Sequence, residues 1–149
     1  MKKITDELLK THQLIHKVLE SLNSESPRFQ PVMGTLHRTF LAHAYLQDQI
    51  LAPALEGQSL IMAPLMGEII REHRDVEFLI KTLLDTRLDS QAALATEVAK
   101  IRAAIDAHFK REENALYPFV ERVLNPDSLH ALAEEMERRH TEVPEAVAS

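Results

Sequence analysis

The chain has no cysteine and no tryptophan, and it has only three glycines among 149 residues. Without cysteine there is no disulfide framework, no thiolate zinc site and no cysteine-held iron–sulfur cluster, so His, Asp and Glu are the strong metal ligands left. Scarce glycine and the lack of alternating β-branched runs leave strands unsupported, while Leu, Ala, Glu, Lys and Arg favour helix. No apolar run is long enough to span a membrane, and Met1-Lys2-Lys3-Ile4-Thr5-Asp6-Glu7 continues into acids where a secretory leader would turn apolar. A cytoplasmic address and no membrane partner are therefore expected. A net charge of −6 is expected to exclude a nucleic-acid partner, which calls for a concentrated basic face. The length suits a single domain, 1–149, able to bury a core without staples. Histidine is what the chain has in excess: eight residues, against two tyrosines.

The apolar spacing predicts an all-α protein, an up-down four-helix bundle over about residues 5–124 followed by a short tail helix over about 127–141. The first helix starts at a Thr5 or Asp6 cap and runs to about Leu22, with Leu8, His12, Ile15 and Leu19 on one stripe. Asn23-Ser24-Glu25-Ser26-Pro27 breaks it. The second starts near Pro31 and carries Leu36, Phe40, His43, Gln47 and Ile50, until Pro53 and Gly57 end or kink it. The third follows Pro64 with Ile69, Ile70, His73, Val76, Ile80 and Leu84. The fourth follows an Asp89-Ser90 cap with Ile101, Ile105, His108, Glu112 and Ala115, and reaches Pro118 or slightly beyond. The Glu- and Arg-rich tail helix is expected to dock on the outside.

An internal repeat organises these helices. Thr11-His12 aligns with Glu72-His73, and His16 with Glu77. The run from His43 to Pro53 aligns with the run from His108 to Pro118, matching Gln47 to Glu112. Residues four apart on a helix differ by only about 40° in direction, so His108 and Glu112 can reach one interior point. The same holds for His12/His16, His43/Gln47 and His73/Glu77. One histidine on an apolar stripe is ordinarily a core residue with a satisfied partner. Four in register are different, because each buried polar group left unsatisfied costs about 1–3 kcal/mol, a cost that ligation removes. Imidazole with carboxylate in a helical bundle suits iron, manganese or zinc, and a bridging carboxylate favours two ions over one.

His12, the His43-x-x-x-Gln47-Asp48-x-x-Leu51-x-Pro53 segment, Glu72-His73 and His108-x-x-x-Glu112-Glu113-x-x-Leu116-Tyr117-Pro118 together resemble the hemerythrin-like HHE domain over roughly residues 5 to 120. The resemblance implies a non-haem centre of two iron ions joined by an oxo or hydroxo bridge. Such a centre binds or senses oxygen, handles nitric oxide or iron, or stores and repairs iron centres. It implies His12, His43, His73 and His108 as terminal ligands and Glu112 as a bridge. Gln47 departs from the pattern, which has a second bridging Glu there. The missing charge then falls to Asp48 or to Glu77, with Glu77 preferred because a five-residue step on a regular helix swings a side chain about 140° away. His16 would supply a fifth imidazole. The alternative for His16 and Glu77 is a flanking, half-solvated pair that touches no metal.

The other residues read as structural. His37 points away from the site, His130 and His140 lie in the polar tail, and Tyr45 and Tyr117 are expected to pack in the core with their hydroxyls at the surface, the alternative being that they line the pocket mouth or donate a hydrogen bond to a metal-bound ligand. Asp48-Gln49 and Glu113-Asn114 are placed to receive the outer N–H groups of ligating imidazoles. The function expected is metal binding with a small diatomic ligand such as oxygen or nitric oxide. Two other functions compete: an oxygen- or peroxide-activating enzyme, for which no second catalytic cluster stands out, and an interaction domain whose metal site has decayed at Gln47.

Overall fold

The computed structural model describes residues 1–58 and 62–140, and all regular structure in them is helical. Helices α1 (Ile4–Glu20) and α2 (Phe29–Leu46) are followed by a π-turn, π1 (Gln47–Leu51), and a short α3 (Ala52–Leu55). Then come α4 (Met62–Asp85), α5 (Gln91–Arg111), a second π-turn, π2 (Glu112–Leu116), α6 (Tyr117–Val123) and α7 (Pro126–His140). Thr141 and the residues after it, where the expected tail helix and domain end, lie outside the described residues.

Several boundaries differ from the sequence expectation for local reasons. The first helix begins at Ile4 with Lys3 at its cap and no side-chain cap bond. Thr5 is buried instead, donating from Oγ1 to Glu121 Oε1 at 2.7 Å. Helices α2 and α4 start two residues ahead of Pro31 and Pro64, because the first-turn N–H groups have no intrahelical acceptor and proline loses nothing there. The Ser90 cap is present, its Oγ accepting from Ala93 N at 3.0 Å.

The two π-turns occupy equivalent places in the repeat, and the repeat explains them. Pro53 and Pro118 would each drive the proline ring into the carbonyl four residues back, at Gln49 and Asn114. Both carbonyls lie inside the π-turns, where the ladder loosens to i→i+5 bonding. The closing bonds run from Ala52 N to Gln47 O and from Tyr117 N to Glu112 O.

Helix α1 packs on α2, α2 on α4 and α4 on α5, while α7 lies across α1 and α2 and buries Leu129, Ala133 and Met136. The apolar core is split in two. Ile4, Leu8, Leu46, Leu51, Ile69, Leu116 and Val120 fill one part. Ile15, Leu36, Phe40, Ile80, Ile101, Ile105 and Phe109 fill the other. At about 1.5–3 kcal/mol for each fully buried large side chain, these clusters supply the stability that lets a polar layer persist between them. That layer holds His12, His43, Gln47, His73, His108 and Glu112, all buried.

Candidate metal centre

Glu112 sits at the head of π2 with no exposed surface, and the imidazoles close around it. Its Oε1 lies 2.9 Å from His12 Nε2, 3.1 Å from His43 Nε2 and 3.2 Å from His108 Nε2. Its Oε2 lies 3.3 Å from His73 Nε2 and accepts from the Gln47 amide. One donor atom from each of His43, His73, His108 and Glu112 falls within 4.8 Å of the others. The aromatic rings frame this set: Phe109 stacks on His12 with centroids 3.8 Å apart, and Phe40 approaches His73 and His108 edge-on.

The outer nitrogens are all occupied, and they follow the repeat. Asp48 faces His73 Nδ1 at 3.0 and 3.2 Å, and its counterpart Glu113 faces His12 Nδ1 at 2.8 Å. Glu72 faces His108 Nδ1 at 2.9 Å, and its counterpart Thr11 faces His43 Nδ1 at 2.6 Å. Thr11 Oγ1 donates its own proton to Leu8 O at 2.6 Å, so it accepts from His43. Each outer group is therefore an acceptor, which places a proton on all four Nδ1 atoms and turns four Nε2 lone pairs toward one carboxylate.

Lone pairs facing lone pairs in a buried site call for a cation. His108 Nε2 shows this directly: it is buried and out of line for a hydrogen bond with Glu112, so it has no partner. Donors about 2.1 Å from one ion at right angles stand about 3 Å apart, which is the spacing found around Glu112. The residues thus fit a nitrogen- and oxygen-liganded metal.

Without metal, protons fill part of that role. Burial alone would lower His73, yet its bonds with Asp48 and Glu112 push it up to about 9. Burial lowers His43 to about 4, and the Glu112 charge beside it only partly opposes this. Burial also works against the Glu112 carboxylate, but its imidazole neighbours, His43 first, hold it well below the usual range. Burial, with the Glu112 and Glu113 charges, raises the Tyr117 hydroxyl well above its ordinary value.

Of the eight residues singled out in the sequence, His12, His43, His73, His108 and Glu112 come together. Asp48 reaches the outer nitrogen of His73 and does not face the centre. The five-residue step from His43 thus directs Asp48 away from the centre, as regular-helix geometry expects, and onto the back of the neighbouring His73. His16 and Glu77 are not brought into the cluster. Each lies one turn beyond its histidine and is half-buried on the flank, His16 edge-on to Phe109. The hydroxyl of Tyr117 follows the less favoured of its two expected placements, inside the site and not at the surface. It is buried, donates to Gln47 Oε1 at 2.7 Å and lies 3.2 Å from His12 Nε2. The one signal was Pro118, which marks a break in the regular ladder next to Tyr117 without specifying its form.

Fold and site together define a helical domain with a buried histidine–carboxylate cluster whose donor set fits a cation. The sequence profile of the hemerythrin HHE cation-binding domain matches residues 3–120, so the chain belongs to that family. The crystal structure of a hemerythrin HHE cation binding domain-containing protein from Mycobacterium kansasii superposes with a TM-score of 0.83 at 21% identity, covering 98% of this chain and 90% of that one. No curated protein sequence matches this chain. No helix among the described residues is long and apolar enough to cross a membrane.

Proposed function

We propose that the protein holds two iron ions in this core, in the up-down four-helix arrangement of its family, and uses them to bind or sense oxygen or another small diatomic, or to handle iron. The observation that carries this reading is the set of four Nε2 atoms turned on Glu112 while every Nδ1 is tied to an outer acceptor. His12, His43, His73 and His108 would be the imidazole ligands and Glu112 the carboxylate shared between ions. Bound iron would supply an open coordination position and reversible redox chemistry.

The rest of the work belongs to the chain. The outer acceptors fix each imidazole's tautomer and orientation and raise its basicity. Phe40 and Phe109 keep water from the rings and lower the local dielectric, which strengthens every charge interaction within. A groove of about 340 Å³ lies beside His108, lined by Glu72, Ala104, Ala107 and Arg111. Binding is preferred to catalysis because most polar groups of the buried layer are engaged in holding the imidazoles, and among the described residues no second cluster of catalytic side chains stands beside them. The test is an elemental analysis with an optical spectrum after anaerobic iron loading and reoxidation. About two irons per chain with ferric charge-transfer absorption supports the reading; zinc alone, or no metal, contradicts it.

A further inference from the structure

The two halves of the repeat differ in a way that concerns charge. Where the second half has Glu112 and, five residues on, Tyr117, the first has Gln47 and Ala52. Glu112 is therefore the only carboxylate in the converging ligand cluster among the described residues. Asp48, Glu72 and Glu113 are committed to outer nitrogens. Two cations in a buried site would be poorly compensated by one carboxylate and neutral imidazoles. One further ionisable oxygen is present. The i→i+5 bond of π2 stacks Tyr117 directly over Glu112, and the ring is only 4% exposed. Its Oη stands 3.2 Å from His12 Nε2, the spacing of two donors that share an ion, and 2.7 Å from the amide oxygen of Gln47, the residue that leaves the charge missing.

We propose that Tyr117 is a metal ligand in this protein, its phenolic oxygen supplying beside His12 the anionic donor that Gln47 lacks. This rests on the reading of the core as a two-iron site. As the oxygen–metal bond forms, the O–H bond breaks and the proton leaves to water, with no change in oxidation state. Tyr117 then ceases to donate to Gln47 Oε1, while the Gln47 amide nitrogen keeps its bond to Glu112. Tyrosine is an established iron donor in proteins.

The experiment is to load the full chain with ferrous iron, oxidise it, count the iron, and record visible absorption and resonance Raman spectra for phenolate-to-ferric charge transfer. The chain has only two tyrosines, so Tyr45→Phe assigns the signal without disturbing the core. The expected result is a phenolate band in the wild type that persists in Tyr45→Phe and vanishes in Tyr117→Phe, where tight iron falls from about two per chain to about one. Adding Gln47→Glu to Tyr117→Phe should restore the second iron without restoring the band. Two bound irons with no phenolate band, or a band that disappears in Tyr45→Phe, overturns the assignment while leaving the two-iron reading in place. Failure of the wild type to bind iron overturns both.

Discussion

Replacing Asp48 by Asn keeps the size of the side chain that faces His73 Nδ1 and removes its charge. Both carboxylate oxygens of Asp48 lie within 3.2 Å of that nitrogen, and with Glu112 they hold His73 at about 9 against the pull of burial. A rise from 6.5 to about 9 corresponds to about 3 kcal/mol of preference for the protonated ring in the metal-free fold. Because the folded value is raised, this stability is fully present below pH 6.5 and is lost as pH climbs through about 9. The Asp48 share, a hydrogen bond to a charged group, is about 1.5–3 kcal/mol. Asp48→Asn should therefore lower metal-free stability by that amount at pH 6.5 and by little above pH 9. In the metal-bound protein the same change loosens the orientation of a ligand and should weaken metal binding about 10–100-fold. Urea melts of the metal-free chain at the two pH values and a competition titration with a chelator read both effects. Glu77→Gln, the rival from the sequence, should change either quantity by less than about 0.5 kcal/mol. Equal losses from the two substitutions, or none from Asp48→Asn, would refute the placement of charge around His73.

Three further outcomes follow from the same geometry. His73→Ala or His108→Ala should lower metal content and melting temperature together, because ligation stabilises only the folded chain; His140→Ala, on the exposed end of α7, should do neither. Metal-free stability should peak near pH 6.5: above it the His73 contribution fades toward about 9, and below it the His43 contribution, present above 6.5, is lost as pH falls through about 4. A peak displaced by more than one pH unit in thermal melts would count against these assignments. Phe109→Ala should cost about 3–5 kcal/mol in a denaturant melt, since Phe109 is buried against His12 and its loss leaves a cavity.

The register of the histidines was legible because helical period and the internal repeat both place His12, His43, His73 and His108 on inward stripes, and the folded chain keeps those stripes. Glu112 was legible for the same reason. The π-turns were not, since hydrophobic spacing reports a 3.6-residue period and cannot show one residue of slack. Pro53 and Pro118 read as helix ends, whereas each is absorbed by a widened turn and the helix resumes as α3 or α6. That one difference brings Tyr117 over Glu112 and into the centre. Glu77 was preferred on regular-helix geometry, which holds for α4, but the same geometry carries it to the flank. Thr11 as the partner of His43 lay in the repeat alignment opposite Glu72, though a hydroxyl facing a carboxylate in such an alignment gives little reason to single it out.

The proposal of two cations held by the imidazoles around Glu112 can be tested by iron uptake. Iron per chain after anaerobic ferrous addition, measured side by side for the wild type and Glu112→Gln, addresses it most directly. About two irons are expected in the wild type and fewer than about one in the variant, because every Nε2 in the cluster is turned toward that carboxylate. A wild type that takes up no iron, or a Glu112→Gln variant that binds it as fully and as tightly, would contradict the proposal.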